Sequence, residues 1–305
     1  MGLQHAIRTR SFALSAELTP LADGASMVQQ ARRLLDSVDV VQITDSPTGR
    51  AQMSSLAAAV IVRQAGMDPV LHMSCRDRNR LALHGDLLGA ATLGLSSLLV
   101  MRGSPLRTGW RSNARPVFDI GAIDLIAAAR ELRDTASPGL LGLPRAPDLF
   151  IGAMTTVFDA AGAWQPRAVL AKIGAGAQFL QSQLCLDVPL LRRYMKQFVA
   201  THLAQRCYVM VSLAPLPSAE TACWLRDNLR RALIPDETIR RLKQAPDPEQ
   251  AGVQICAEIL RDLAEMPGVS GANFLAPADP AVLKAIIAAS GLRAQQGEPQ
   301  AGDRQ

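Results

Sequence analysis

Eight short β-rich runs recur along the chain, and a longer helical pattern follows nearly every one. Such alternation implies parallel strands joined by crossover helices. The runs lie at 12–18, 38–44, 68–74, 96–101, 149–154, 179–184, 207–213 and 270–276. Between them, Met27, Ala31, Leu34 and Leu35 recur at helical spacing. Gly66 stands where the helical run beginning at Ser54 must end, and Asp187 precedes the run 188–203 as a cap. Further helical patterns cover 79–94, 121–134, 166–176, 218–231, 235–244, 247–265 and 279–290.

Eight such units close naturally into a single (β/α)8 TIM barrel, an α/β fold. A doubly wound open sheet is the competing architecture, but no glycine-rich phosphate turn follows the first strand. The barrel is expected over residues 1–292, with 293–305 as a polar, disordered tail. A chain of 305 residues that is 49% hydrophobic suffices for one large core. With aromatics at only 4%, that core must be aliphatic and Ala-rich.

The remaining composition narrows the function. A net charge of +5 is spread along the chain, and no Lys/Arg block reads as a nucleic-acid arm. Cys75, Cys185, Cys207, Cys223 and Cys256 form no CxxC, so neither a zinc site nor a disulfide framework is indicated. No run reaches the length of a membrane span, and the N-terminus lacks a long apolar signal region. The reading is a cytoplasmic protein with reduced thiols and no membrane partner.

In such a barrel the active site lies at the C-terminal strand ends. The polar residues there are Glu17, Thr44, Asp45, His72, Ser74, Arg102, Thr155, Thr156, Gln181, Gln183, Ser212 and Asn273. Alternation in ALSAEL puts Ala13, Ser15 and Glu17 on one face. A carboxyl there is partly desolvated, which raises its pKa and suits a general acid; a structural ion pair with an arginine such as Arg102 is the competing reading. His72 and Cys75, three apart on a strand, point to opposite faces and should not share a metal. The loop 102–118 carries Arg107, Trp110, Arg111 and Arg115, and reads either as a cover for an anionic substrate or as a solvated basic loop. RDRNR (76–80) reads either as a phosphate-binding helix start or as a solvated first turn. GxGxxG, Walker, HExxH and GxSxG patterns are absent.

Three blocks together resemble the methylenetetrahydrofolate reductase family: SAELTP (15–20), DPVLHMSCRDRNRLALHGDLLGAATLGLSSLLVMRGSP (68–105), and IGAMTTVFD (151–159) continuing through KIGAGAQFLQSQLCLD (172–187). The resemblance implies a (β/α)8 barrel that binds folate and a flavin, FAD in the first instance, with FMN or no flavin as alternatives. The reaction it implies is reduction of methylenetetrahydrofolate, with electrons from NADH or NADPH. By the same resemblance Glu17 is the general acid. Gln183, Ser104 and Asn273 are substrate-binding, while Thr44, His72, Arg102, Gly103, Gly152 and Lys172 are cofactor-binding. Association into a homo-oligomer or with an electron-transfer partner is also implied. The chain departs from the family pattern at Ser104, where an Asp is usual, at Gln165, Ala168 and Ala171, and in GANFLAP (271–277), where many relatives carry a His. A flavin-free folate-binding protein or a non-catalytic partner subunit is therefore the alternative.

Overall fold

The structure, a computed structural model, describes residues 1–46, 52–105, 115–134, 146–159, 164–275 and 279–293. In chain order its elements are α1 (Leu3–Thr9), β1 (Ala13–Leu18), α2 (Gly24–Leu35), β2 (Val40–Ile43), α3 (Ser55–Gln64), β3 (Val70–Ser74), α4 (Arg80–Thr92), β4 (Ser97–Met101), α5 (Ala122–Asp134) and β5 (Phe150–Thr155). There follow α6 (Arg167–Ala175), β6 (Phe179–Leu184), α7 (Val188–Ala200), β7 (Tyr208–Leu213), α8 (Ala219–Asn228), α9 (Asp236–Gln244), α10 (Pro248–Ala264), β8 (Gly271–Phe274) and α11 (Pro280–Ser290). The eight strands pair in sequence order, all parallel, and β1 closes on β8. This is the (β/α)8 barrel that the alternating pattern predicts, and each strand falls within two or three residues of its expected run.

Closure sorts each strand into two faces. Outward residues such as Leu14, Val41, Ile43, Leu71, Leu98, Val100, Ile151, Leu180, Val211 and Phe274 are buried under the helices in one large aliphatic core. Inward residues Ala13, Val40, Val70, Leu99, Phe150, Phe179 and Met210 form a second cluster inside the barrel. Helix α1 contributes Leu3, Ala6 and Ile7 to that same cluster and so plugs the barrel floor. The plug was not anticipated: seven residues are too few to display a helical period, and their apolar face has a purpose only once a barrel floor exists. Buried Asp39 fastens this end, accepting the Leu14 N–H at 2.8 Å and pairing with Arg10 at 3.3 Å and Arg293 at 2.9 Å.

Helix starts are set by short polar side chains that satisfy otherwise orphaned N–H groups. Asp23, Ser54, Asn79, Asp187, Ser218, Asp247 and Asp279 cap α2, α3, α4, α7, α8, α10 and α11 respectively. Of the expected tail 293–305, Arg293 is described and pairs with Asp39, while 294–305 and the expected covering residues Arg107, Trp110 and Arg111 lie outside the described residues. Among the described residues no helix is long and apolar enough to cross a membrane.

The interior admits little change in volume. A Cβ on Gly152 would stand 2.1 Å from the Phe179 ring, which stacks on Phe150 at 4.9 Å between centroids. Gly152→Ala is therefore expected to cost about 1–3 kcal/mol, from overpacking. Urea denaturation should show that Phe179→Leu in the same chain recovers most of that loss. Additive losses in the double variant would contradict this packing account.

Candidate active site

Above the apolar floor, the next inward positions on β1, β2, β3, β6 and β8 are polar, while β4 and β5 bring Met101 and Gly152. Ser15, Gln42, His72, Gln181 and Asn273 are all buried. Gln42 Nε2 donates to Ser15 Oγ at 2.8 Å and to Gln181 Oε1 at 2.9 Å. Gln42 Oε1 lies 2.8 Å from His72 Nε2. A carbonyl oxygen can only accept, so His72 carries its proton on Nε2. Ser15 Oγ donates to Asn273 Oδ1 at 2.9 Å, and Asn273 Nδ2 donates to Glu17 Oε1 at 3.3 Å. Glu17, half-buried, is the next residue up on the inward face of β1. An unpaired buried amide or hydroxyl costs about 1–3 kcal/mol, so five interlocked polar side chains fix one another's orientation.

Burial pushes the His72 imidazole down to about 3, so it stays neutral over the working range of most proteins. The imidazole was expected among cofactor contacts; the structure places it inside the barrel with Nε2 engaged by Gln42. Asn273, expected at the substrate, is wholly buried and reaches Glu17. Gly152 is not brought to the mouth with the others: it faces the Phe179 ring.

The remaining expected residues ring the mouth. Thr44 continues the inward parity of Val40 and Gln42, and its hydroxyl is buried with no partner among the described residues. Arg102 is exposed, its guanidinium 4.8 Å from the centroid of the Phe118 ring. Gly103 adopts φ +83°, and a Cβ there would meet Ser74 Oγ at 2.3 Å, so only glycine fits this turn. Ser104 is exposed and its carbonyl accepts from Arg76 at 3.4 Å. Lys172 donates to the Met154 carbonyl at 2.7 Å, and burial lowers its pKa. The Gln183 amide is matched on both arms to the backbone of Val157, accepting at 2.9 Å and donating at 2.8 Å. It thereby holds the segment after β5, where Phe158 packs against Tyr194 and Trp164.

Of the arginines after β3, Arg76 and Arg78 are engaged by neighbouring groups, whereas Arg80 is exposed in the first turn of α4. Arg76 is buried and donates to the Ser46 carbonyl at 2.8 Å, while pairing with Asp77. Arg78 pairs with both Asp45 and Asp86. Burial pushes the Asp45 carboxyl above the usual range, against the opposing pull of Arg78 and of the Ser74 N–H. These side chains lace the loops after β2, β3 and β4 into one rim. Burial pushes the Cys75 thiol up to about 11 and those of Cys185, Cys207 and Cys256 up to about 12.

Gln42 was missed in the sequence. It sits in the run VVQI, and one polar residue in a strand buried on both faces is a signal when its parity matches the interior.

The methylenetetrahydrofolate reductase family profile matches residues 2–291. The chain belongs to that family. Among solved structures, an uncharacterized protein from Clostridium thermocellum that binds two copies of 5-methyl-5,6,7,8-tetrahydrofolic acid superposes with a TM-score of 0.69 at 11% identity, covering 95% of this chain and 98% of its own. DmoA from Hyphomicrobium sulfonivorans superposes with a TM-score of 0.54 at 12% identity, covering 97% and 91%. At these identities both are likenesses of fold.

The neutral His72 has a thermodynamic signature. Its folded pKa, about 3, lies below the ordinary histidine value of 6.5, so below that value the unfolded chain binds a proton that the folded chain refuses. Stability must then fall as pH drops, by roughly 2 kcal/mol from about pH 7 to pH 5 on account of this residue. His72→Gln keeps an N–H donor and does not titrate. Urea denaturation over that range should show a shallower acid slope in the variant; parallel slopes would mean that His72 takes up a proton in the folded state.

Proposed function

We propose that the chain interconverts methylene- and methyltetrahydrofolate by hydride transfer as a flavin-dependent reductase, with Glu17 as the general acid. The observation that carries this reading is the Glu17 carboxyl, held at the mouth of a barrel of this family by the Asn273 amide. The binding of 5-methyl-5,6,7,8-tetrahydrofolic acid by the Clostridium thermocellum protein supports folate as the ligand class.

The chemistry asks for such an acid. The methylene carbon of the substrate bridges two nitrogens of a five-membered ring. When N10 takes a proton, its bond to that carbon breaks and the bonding pair stays on N10. The carbon, left as an iminium on N5, then accepts a hydride and becomes a methyl group. Glu17 supplies the proton, and Asn273 orients its carboxyl by donating to Oε1. General acid catalysis of this kind contributes about 10²–10⁴-fold. In the reverse direction the same carboxylate takes the proton back.

The residues present fit a flavin at the strand ends. The buried Thr44 hydroxyl has no partner among the described residues, which is the condition of a group awaiting a ligand. Lys172 and Arg102 supply positive charge, and the tight Gly103 turn lets backbone approach closely. Bound there, FAD supplies the hydride, with NADH or NADPH as the electron source. Gln183 and Ser104 would contact the folate, Gln183 by giving up one of its bonds to Val157. The alternative, a folate-binding protein without hydride transfer, draws on Ser104 in place of the usual acid and on the Gln183 amide already matched to Val157.

Glu17→Gln should leave flavin bound and lower folate turnover by roughly 10²–10⁴-fold. Turnover equal to the parent would remove Glu17 from the reaction. Thr44→Val should weaken flavin retention by roughly fivefold, the worth of one hydrogen bond, while leaving the flavin-free protein at least as stable. Flavin titration and thermal melts of the two proteins check this; unchanged affinity would place the flavin elsewhere.

A further inference from the structure

The polar layer inside the barrel has a direction. Starting from His72, each donor meets the acceptor of the next group: His72 Nε2 to Gln42 Oε1 at 2.8 Å, Gln42 Nε2 to Ser15 Oγ at 2.8 Å, Ser15 Oγ to Asn273 Oδ1 at 2.9 Å, and Asn273 Nδ2 to Glu17 Oε1 at 3.3 Å. Every member before Glu17 is buried, so water cannot readily substitute for a broken link. Each link also fixes the next. Because Gln42 donates to the Ser15 oxygen, the Ser15 proton is left for Asn273. Because Asn273 Oδ1 receives that proton, its amide presents N–H groups, and not its carbonyl, toward Glu17.

The geometry points to Gln42 and Ser15 as positioning residues that act through Asn273 to orient the Glu17 carboxyl and hold down its proton affinity. A chain of donors ending on a carboxyl oxygen favours the charged form, and polarisation along the chain strengthens the last bond. If Asn273 were free to turn, its carbonyl would repel the carboxylate and the proton would be held more tightly.

Among the described residues, several ionisable groups at this end of the barrel have engagements of their own. Asp23 caps α2, Asp45 pairs with Arg78, and Arg76 pairs with Asp77. Arg102 lies over Phe118, Lys172 donates to Met154, Asp159 pairs with Arg193, and Asp187 caps α7. Among the described residues β8, packed beside β1, brings Asn273 and no charged group to the interior. His72, the origin of the chain, contributes a fixed N–H because burial keeps it neutral.

The catalytic meaning of the inference rests on the proposal that Glu17 is the acid, but its test needs no turnover. The carboxyl carbons of the full-length protein are labelled with ¹³C-glutamate, and the Glu17 signal is assigned by its loss in Glu17→Gln. Its titration midpoint is then followed by NMR in three variants. Ser15→Ala and Gln42→Met should each raise the midpoint by roughly half a pH unit or more, since one unit corresponds to the energy of about one ordinary hydrogen bond. Gln181→Met removes the side branch on Gln42 at 2.9 Å but none of the links to Glu17, and should leave the midpoint in place. If either Ser15→Ala or Gln42→Met fails to move it, or Gln181→Met moves it as far, the chain does not govern Glu17. Ser15→Ala removes a single oxygen, so it reports even where Gln42→Met fails to fold. A shifted midpoint in a protein without folate turnover would uphold the chain and reject the catalytic reading.

Discussion

Because the eight strands close on one another, every second side chain of each strand must find partners inside a walled space. That constraint shapes the molecule from floor to mouth. At the floor it is met with bulk: Phe150, Phe179 and Met210 fill the interior, Gly152 gives way to the Phe179 ring, and helix α1 seals the end with Leu3, Ala6 and Ile7. One level up it is met with hydrogen bonds, because Ser15, Gln42, His72, Gln181 and Asn273 cannot be filled in as hydrocarbon and must satisfy one another. At the mouth this polar layer reaches Glu17, where partly buried chemistry meets solvent. The site is the upper surface of a packing solution.

The rim obeys a related rule. Loops that carry function need a scaffold that holds them at fixed distances. Here buried Arg76, with Arg78, ties the segments after β2, β3 and β4 together through Ser46, Asp45, Asp77, Asp86 and Ser104. Gln183 does the same for the segment after β5 through Val157. Among the described residues, the charges of Arg76 and Arg78 are thus paired within the protein. Arg102 lies over Phe118 and Lys172 donates to Met154.

The strands were legible in the sequence because each is a short run bounded by helical patterns, and closure followed from their number. Glu17 was legible because ALSAEL alternates. Gln42 was not, since its importance arises from Gln181, distant in sequence, and His72 arriving on the same interior level, and a linear pattern carries no such information. For the same reason the burial of Arg76 and Arg78 was not legible in RDRNR: Asp45, Ser46 and Ser104 reach them from other loops. Helix α1 escaped notice because its apolar face answers to the barrel floor and to no period of its own.

The central claim is that this barrel passes hydride between folate and a bound flavin. The most direct measurement is the visible absorption spectrum of the purified protein under anaerobic conditions, before and after methyltetrahydrofolate is added. The account predicts a yellow protein whose flavin band bleaches on mixing. A protein that stays colourless with added flavin, or whose flavin band is indifferent to methyltetrahydrofolate, would contradict it.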